Sequence, residues 1–314
     1  MFRSRSSFPV ALLHFALCIL PSELFAEKLR VATYNVENYN LTNRMTEDGF
    51  ARNAPKPEKQ KDALRAVIRA MNADVLAVQE IGGAPFTEEL RRDLASEGLS
   101  YPHAATLDGP DPHRKLAILS KRPFASVTRH ARLQTDFDVP SPGERTPLVN
   151  RGLLGVTLTV EGRPVRLYTV HLKSRLTRDK RDPRAERERL AESDTVKARL
   201  IGDGLSAPDA LALLVGDFND GPNAATLTRF EKTAAGAPFL VRLDAGDAAG
   251  ESWTYRNVRK GFYDRSDYAF ATPALKPFVT RSRALDHPRT AQASDHRPVV
   301  VDLDIPGAGP SPAR

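Results

Sequence analysis

The sequence has one cysteine, one tryptophan and three methionines in 314 residues. A lone cysteine, Cys18, cannot close a disulfide within the chain, so stability has to come from packing. It lies in the N-terminal apolar segment, which leaves the remaining chain without thiolate zinc ligands or a thiol nucleophile. Long hydrophobic runs are scarce as well. The run from Phe8 to Leu20 is shorter than the roughly 18–20 residues needed to span a bilayer. Arg3 and Arg5 precede it, and Pro21 and Ala26 follow. That layout is a secretory signal, residues 1–26, with cleavage expected after Ala26 and export to the periplasm or the medium. Leu17 stands before Cys18 where a lipoprotein signal would carry a small residue. Internal repeats and long linkers are also missing, which predicts one domain, residues 27–305, and a small Pro-rich disordered tail, 306–314.

What remains is an ordinary globular composition, with 41% hydrophobic, 27% charged and 7% aromatic residues. Without Arg3, Arg5 and Glu23, 44 basic residues face 38 acidic ones, a balance compatible with a polyanionic substrate. Strand-like segments are Leu29–Val36, Asp74–Gln79, Leu116–Ser120, Leu211–Gly216, Ser266–Phe270 and Pro298–Leu303. Leu153–Val160 and Val165–His171 flank Glu161-Gly162-Arg163-Pro164 and read as a hairpin. Leu64, Val67, Ile68 and Met71 give Glu58–Asn72 the spacing of an amphipathic helix, and Arg184–Ile201 reads as a charged helix. Pro102–Lys115 and Thr135–Pro147 read as loops. The mixture predicts an α/β fold of two mixed sheets packed together with helices outside.

Several apolar runs end in residues that a core would not choose. The first strand ends at Asn35, the next at Glu80, and the hairpin at His171. Leu213–Val215 runs into Gly216-Asp217-Phe218-Asn219, Asp267 opens a strand, and Asp295-His296 precedes Val299–Val301. Singly, each has an ordinary structural explanation, such as a turn or a strand cap. Strands sharing one edge of a sandwich would bring all of them together. The resulting set of carboxylates, amides and imidazoles suits Mg²⁺ (or Mn²⁺) and phosphate, with Glu80 and Asp295 supplying carboxylate oxygens. Zinc is disfavoured, because no cysteine remains and no histidine pair has helical ligand spacing.

In order and spacing, Thr33-Tyr34-Asn35-Val36-Glu37-Asn38, Gln79-Glu80, His171-Leu172-Lys173-Ser174, Gly216-Asp217-Phe218-Asn219 and Ser294-Asp295-His296-Arg297-Pro298 resemble the endonuclease/exonuclease/phosphatase superfamily. The resemblance runs from about Leu29 to Leu303. It implies a four-layer α/β/β/α sandwich and metal-assisted attack of water on phosphorus. It further implies Glu80 as the main Mg²⁺ ligand, with Asn35 and Asp295 in or beside the metal shell. Asp217, helped by Asn219, would orient and deprotonate the water; His296, held by Asp267, would contact the scissile phosphate; His171 would bond another phosphate oxygen or assist the leaving group. Two departures stand out. Ser266 precedes Asp267 where the family usually has an apolar residue. Val215 and Asp220-Gly221 replace the Trp and Asn-Tyr-Arg of the inositol-phosphate 5-phosphatases, which argues against that branch.

After His171 the chain turns basic, from Lys173 to Arg189. The stretch Lys173–Arg181 reads as a cleft rim able to track a phosphate backbone, and Arg184 onward as a solvated helix whose charges are offset at i,i+4. Lys173, Arg114 and Arg151 are the substrate-contact candidates. The expected substrate is a phosphodiester, with nucleic acid favoured; a phospholipid or small phosphate ester is the alternative, and a non-catalytic binding protein a more distant one. A lipid hydrolase should show an exposed aromatic hairpin, whereas Trp253-Thr254-Tyr255 reads as a packed strand. No protein partner is inferred.

Overall fold

The computed structural model describes residues 26–137 and 147–307. The expected signal up to residue 25, positions 138–146 of the Thr135–Pro147 loop, and tail positions 308–314 lie outside the described residues.

Two six-stranded sheets face each other. The first contains β1 (Glu27–Tyr39), β4 (Val75–Ile81), β5 (His103–Leu107), β6 (Lys115–Ser120), β15 (Val279–Ala284) and β16 (Val299–Ile305). Its spatial order is β15–β16–β1–β4–β6–β5. The second contains β7 (Ser126–His130), β8 (Leu153–Val160), β9 (Arg163–His171), β10 (Leu211–Asp217), β11 (Val241–Arg242) and β14 (Asp267–Ala271), ordered β11–β14–β10–β9–β8–β7. Both are mixed: β1 runs parallel to β4 and antiparallel to β16, and β10 parallel to β9 and antiparallel to β14. Helices α1 (Glu58–Met71), α2 (Ala84–Ser96) and α5 (Thr290–Ala293) accompany the outer face of the first sheet. Helices α3 (Glu186–Gly202) and α4 (Ala225–Glu231) cover the second. Two hairpins, β2–β3 (Thr42–Thr46, Gly49–Ala54) and β12–β13 (Tyr255–Asn257, Phe262–Asp264), form small sheets of their own.

The period-two alternation of side chains builds three cores and aims the site. Leu29 and Val31 of β1, Val75 and Ala77 of β4, Leu211, Leu213 and Val215 of β10, and Val165 and Leu167 of β9 meet between the sheets. The intervening residues, such as Leu76, Val78, Leu214 and Val170, turn outward onto helices. Continuing each inner face by two residues reaches Thr33 and Asn35, Gln79, Thr169 and His171, and Asp217. The inner faces therefore change from apolar to polar at one shared edge. Gln79 stitches the transition, donating from Nε2 to Thr33 Oγ1 at 3.0 Å and Thr169 Oγ1 at 2.9 Å.

Elsewhere the structure corrects the reading. The expected loop Pro102–Lys115 contains β5, whose Ala105 and Leu107 alternate into the core. Helix α2, the β2–β3 hairpin, β7 and β15 carried too few apolar residues to stand out. The charged helix α3 does not present a wholly solvated face: Arg189 and Glu192 are buried in it.

Candidate active site

Each site side chain is aimed by a local backbone feature. Gly216 has φ +143°, and a Cβ there would lie 2.0 Å from Val170 O. Only glycine allows β9 and β10 to run that close, and this closeness sets His171 directly beside Asp217. Asp267 lies opposite Asp217 on the other flank. Glu80 sits at φ +68°, at an irregularity where β4 slips register against both β1 and β6. Strict alternation would turn Glu80 outward with Val78, and the bulge re-aims it toward the cleft. Ser294 Oγ donates to Asn35 O (2.8 Å) and accepts His296 N–H (3.0 Å), which locks the Asp295-His296 corner onto β1.

The cluster is tight. His296 Nδ1 lies 2.8 Å from Asp267 Oδ2, and its Nε2 lies 3.9 Å from Asp217 Oδ2 and 3.8 Å from Asp295 Oδ1. His171 Nε2 is 3.5 Å from the same Asp217 oxygen and 3.9 Å from Glu80 Oε1. Asn35 Nδ2 donates to Asp217 Oδ2 (3.0 Å) and Glu80 Oε1 (3.4 Å). Asn219 donates its backbone N–H to Asp217 Oδ1 (2.8 Å) and its Nδ2 to Oδ2 (3.2 Å). Despite the polar neighbour Ser266, Asp267 is fully buried, and its own N–H donates to Thr254 Oγ1.

Electrostatics divide the two imidazoles. Burial opposes charge on His296, but Asp267, Asp217 and Asp295 together push its pKa well above the usual histidine value. His171 goes the other way: burial, then the charges of Arg151, His296 and Arg114, hold it well below that value. One ring is therefore a cation and the other neutral at pH 7. Burial and the Asp267 charge raise Asp217 to about 7, against the pull of His296. Asp295 is raised to about 6 by burial, with Glu37 and Glu80 adding to the effect.

Glu37, Glu80 and Asp295 line the same cleft, and the two glutamate charges help to raise Asp295; hard carboxylate oxygens of this kind fit a divalent cation. Asp217, Asp267 and His296 also bring one candidate ligand atom each within 4.8 Å. The bond of His296 Nδ1 to Asp267 leaves only Nε2 of that ring free for such a role.

The cluster opens on a cleft of about 1230 Å³ lined by Glu37, Glu80, Arg114, Arg151, His171, Asp217, Asn219, Asp295 and His296, among others. Lys173 is the candidate that does not join it: its ammonium donates to Ser174 O and Leu176 O and lies 3.9 Å from Glu188. The basic rim is differently composed from the sequence reading. Arg175 lines the cleft but is tied to Asp264 at 2.7 Å, Arg181 pairs with Asp179, and Arg184 lines the cleft rather than joining a solvated helix. Arg256, Arg259 and Lys260, absent from the sequence-based candidates, line the cleft from the β12–β13 hairpin. Their signal was the basic turn Asn257-Val258-Arg259-Lys260-Gly261. This hairpin is pinned to the site by Arg256 N–H to Asp295 O (2.8 Å) and Arg297 N–H to Thr254 O (2.7 Å). Trp253-Thr254-Tyr255 leads into this hairpin with Thr254 fully buried, whereas Val258, Phe262 and Tyr263 beyond it are exposed.

A sandwich with carboxylates, amides and two imidazoles at one edge defines the phosphoesterase class of fold. The sequence profile of the Endonuclease/Exonuclease/phosphatase family matches residues 32–296, and the chain belongs to that family. Members are hydrolases acting on phosphoester bonds and generally use divalent metals. Solved structures share the fold at low identity. The human Nocturnin catalytic domain with bound sulfate anion is 20% identical with TM-score 0.62, over 88% of this chain and 94% of that one. A humanized D. rerio TDP2 is 16% identical with TM-score 0.59, over 88% and 99%. A mannosyl-6-phosphatase of Bacteroides thetaiotaomicron is 19% identical with TM-score 0.58, over 87% and 98%. No curated protein matches the chain significantly.

Proposed function

We propose that this chain is an exported, divalent-metal-dependent phosphodiesterase, with nucleic acid its favoured substrate. The observation that carries the reading is the Asp267–His296–Asp217–His171 array beside a cleft lined by several arginines. In this reading a water gives its oxygen to phosphorus and its proton to Asp217, which Asn35 and Asn219 hold in place, while the P–O bond to the departing alkoxide breaks and the alkoxide takes a proton from solvent. His296, kept cationic by Asp267, stabilises charge growing on the phosphoryl oxygens. His171 is neutral and donates a hydrogen bond to a phosphate oxygen. Glu80 and Asp295, with Asn35 and Glu37 beside them, would hold the metal, which when bound draws electron density from a phosphate oxygen.

The test is conversion of supercoiled plasmid by the protein from Glu27 onward with Mg²⁺, beside His296→Ala. Nicking by the wild type alone supports the reading. The exposed Val258, Phe262 and Tyr263 beside the cleft favour a second substrate, phospholipid. Headgroup release from phospholipid vesicles without plasmid nicking would select it.

A further inference from the structure

The next step rests on the phosphoesterase reading and deepens it. We infer that Arg151 anchors a second anion subsite, for a phosphate or similar oxyanion of the substrate other than the one under attack.

Arg151 is 6% exposed, yet it lines the cleft. Its Nη2 reaches Asp111 Oδ2 at 2.9 Å, while Nε and Nη1 have no partner among the described residues. A guanidinium is always charged, and buried N–H donors without acceptors are costly to leave unmet. Nε and Nη1 are closed to water, so an oxyanion that displaces the groups covering them supplies the missing acceptors with charge-assisted bonds.

The surroundings hold this donor set in place. Asp111 donates its N–H to Asn150 O (2.8 Å), and its Oδ1 accepts His113 N–H and Arg114 N–H, both at 3.0 Å. Gly109 lets this loop close onto Arg151, since a Cβ there would sit 2.5 Å from Arg151 O. From beneath, Glu192 of α3 accepts Asn150 N–H (2.8 Å) through one carboxylate oxygen and Lys173 N–H (2.6 Å) through the other. Glu192 is thus a positioning residue that joins the Arg151 segment to the one after His171. Arg151 lines the same cleft as His171, Asp217 and His296.

The substrate class that follows is a phosphoester with a second negative group next to the scissile one, as in a phosphorylated nucleotide chain. The experiment compares two thymidine dinucleotides that differ only in a 5′-phosphate, using wild type, Arg151→Gln and Arg151→Lys. The wild type should favour the phosphorylated dinucleotide by about tenfold or more, mainly through KM. Arg151→Gln should bring the ratio close to one, and Arg151→Lys should restore part of it. A wild type with no preference, or an unchanged ratio in Arg151→Gln, overturns the subsite and leaves the enzyme class standing. If neither dinucleotide is cut, the nuclease reading fails, and calorimetric binding of inorganic phosphate decides the subsite. Binding about tenfold weaker in Arg151→Gln than in wild type supports it; equal binding overturns it.

Discussion

Asp217 and His296 share one buried oxygen environment yet carry opposite assignments, proton acceptor and cation. The division depends on Asp267, which raises the pKa of both. Asp217→Asn and His296→Ala should each lower kcat by roughly 10²-fold or more, the usual scale for an acid/base or electrostatic group. Near-wild-type kcat in a variant with native circular dichroism would remove that residue from the mechanism. The pH profile has a defined sign. Asp217 must be ionised to accept a proton, so kcat/KM should fall as pH drops below about 7. His296 must stay protonated, which sets an alkaline limb well above the usual histidine value. Asp267→Asn removes the partner that keeps His296 charged, so that limb should move to lower pH; an unmoved limb would assign it to another group.

At the scale of elements, strand interiors were easier to read than the segments between them. Alternating apolar residues in β1, β4, β9 and β10 respond to burial on two faces, and that pressure shows in sequence. The β2–β3 hairpin answers to a local turn, while β5 and α2 each place only two apolar residues fully in a core, which leaves little pattern. Lys173 shows the same limit: its place after His171 suggested a rim, but backbone carbonyls and Glu188 capture its ammonium. Helix α3 read as a charged surface helix because Arg189 and Glu192 stand among its buried positions, beside Ser193, Val196 and Leu200. Arg189 serves Asp220 and the carbonyls of Lys173, Arg184 and Ala185, so its charge is spent inside the protein. Glu192→Gln leaves one oxygen for two N–H donors and sets an NH₂ group against the other. The variant should lose about 1–3 kcal/mol in urea unfolding, the cost of an unsatisfied buried donor. Unchanged stability would show that the loop finds another acceptor.

For the whole molecule, the edge of the sandwich acts as one charged unit. Glu37, Glu80 and Asp295 bring three carboxylates to one cleft, and that hard-donor set is the reason to expect a divalent cation there. Activity should disappear in excess EDTA and return with Mg²⁺ or Mn²⁺; full activity in EDTA would sink the metal assignment. The sequence by itself determined the sandwich and most of the site's membership, because strand alternation and the polar strand ends are local features that survive in one dimension. Only the tertiary structure decided which groups work together. The left-handed turn at Glu80, the Gly216 close approach, the projecting basic hairpin and the unpaired Arg151 donors depend on segments far apart in the chain. Their energies come from desolvation and hydrogen bonding between those segments, which no short stretch of sequence records.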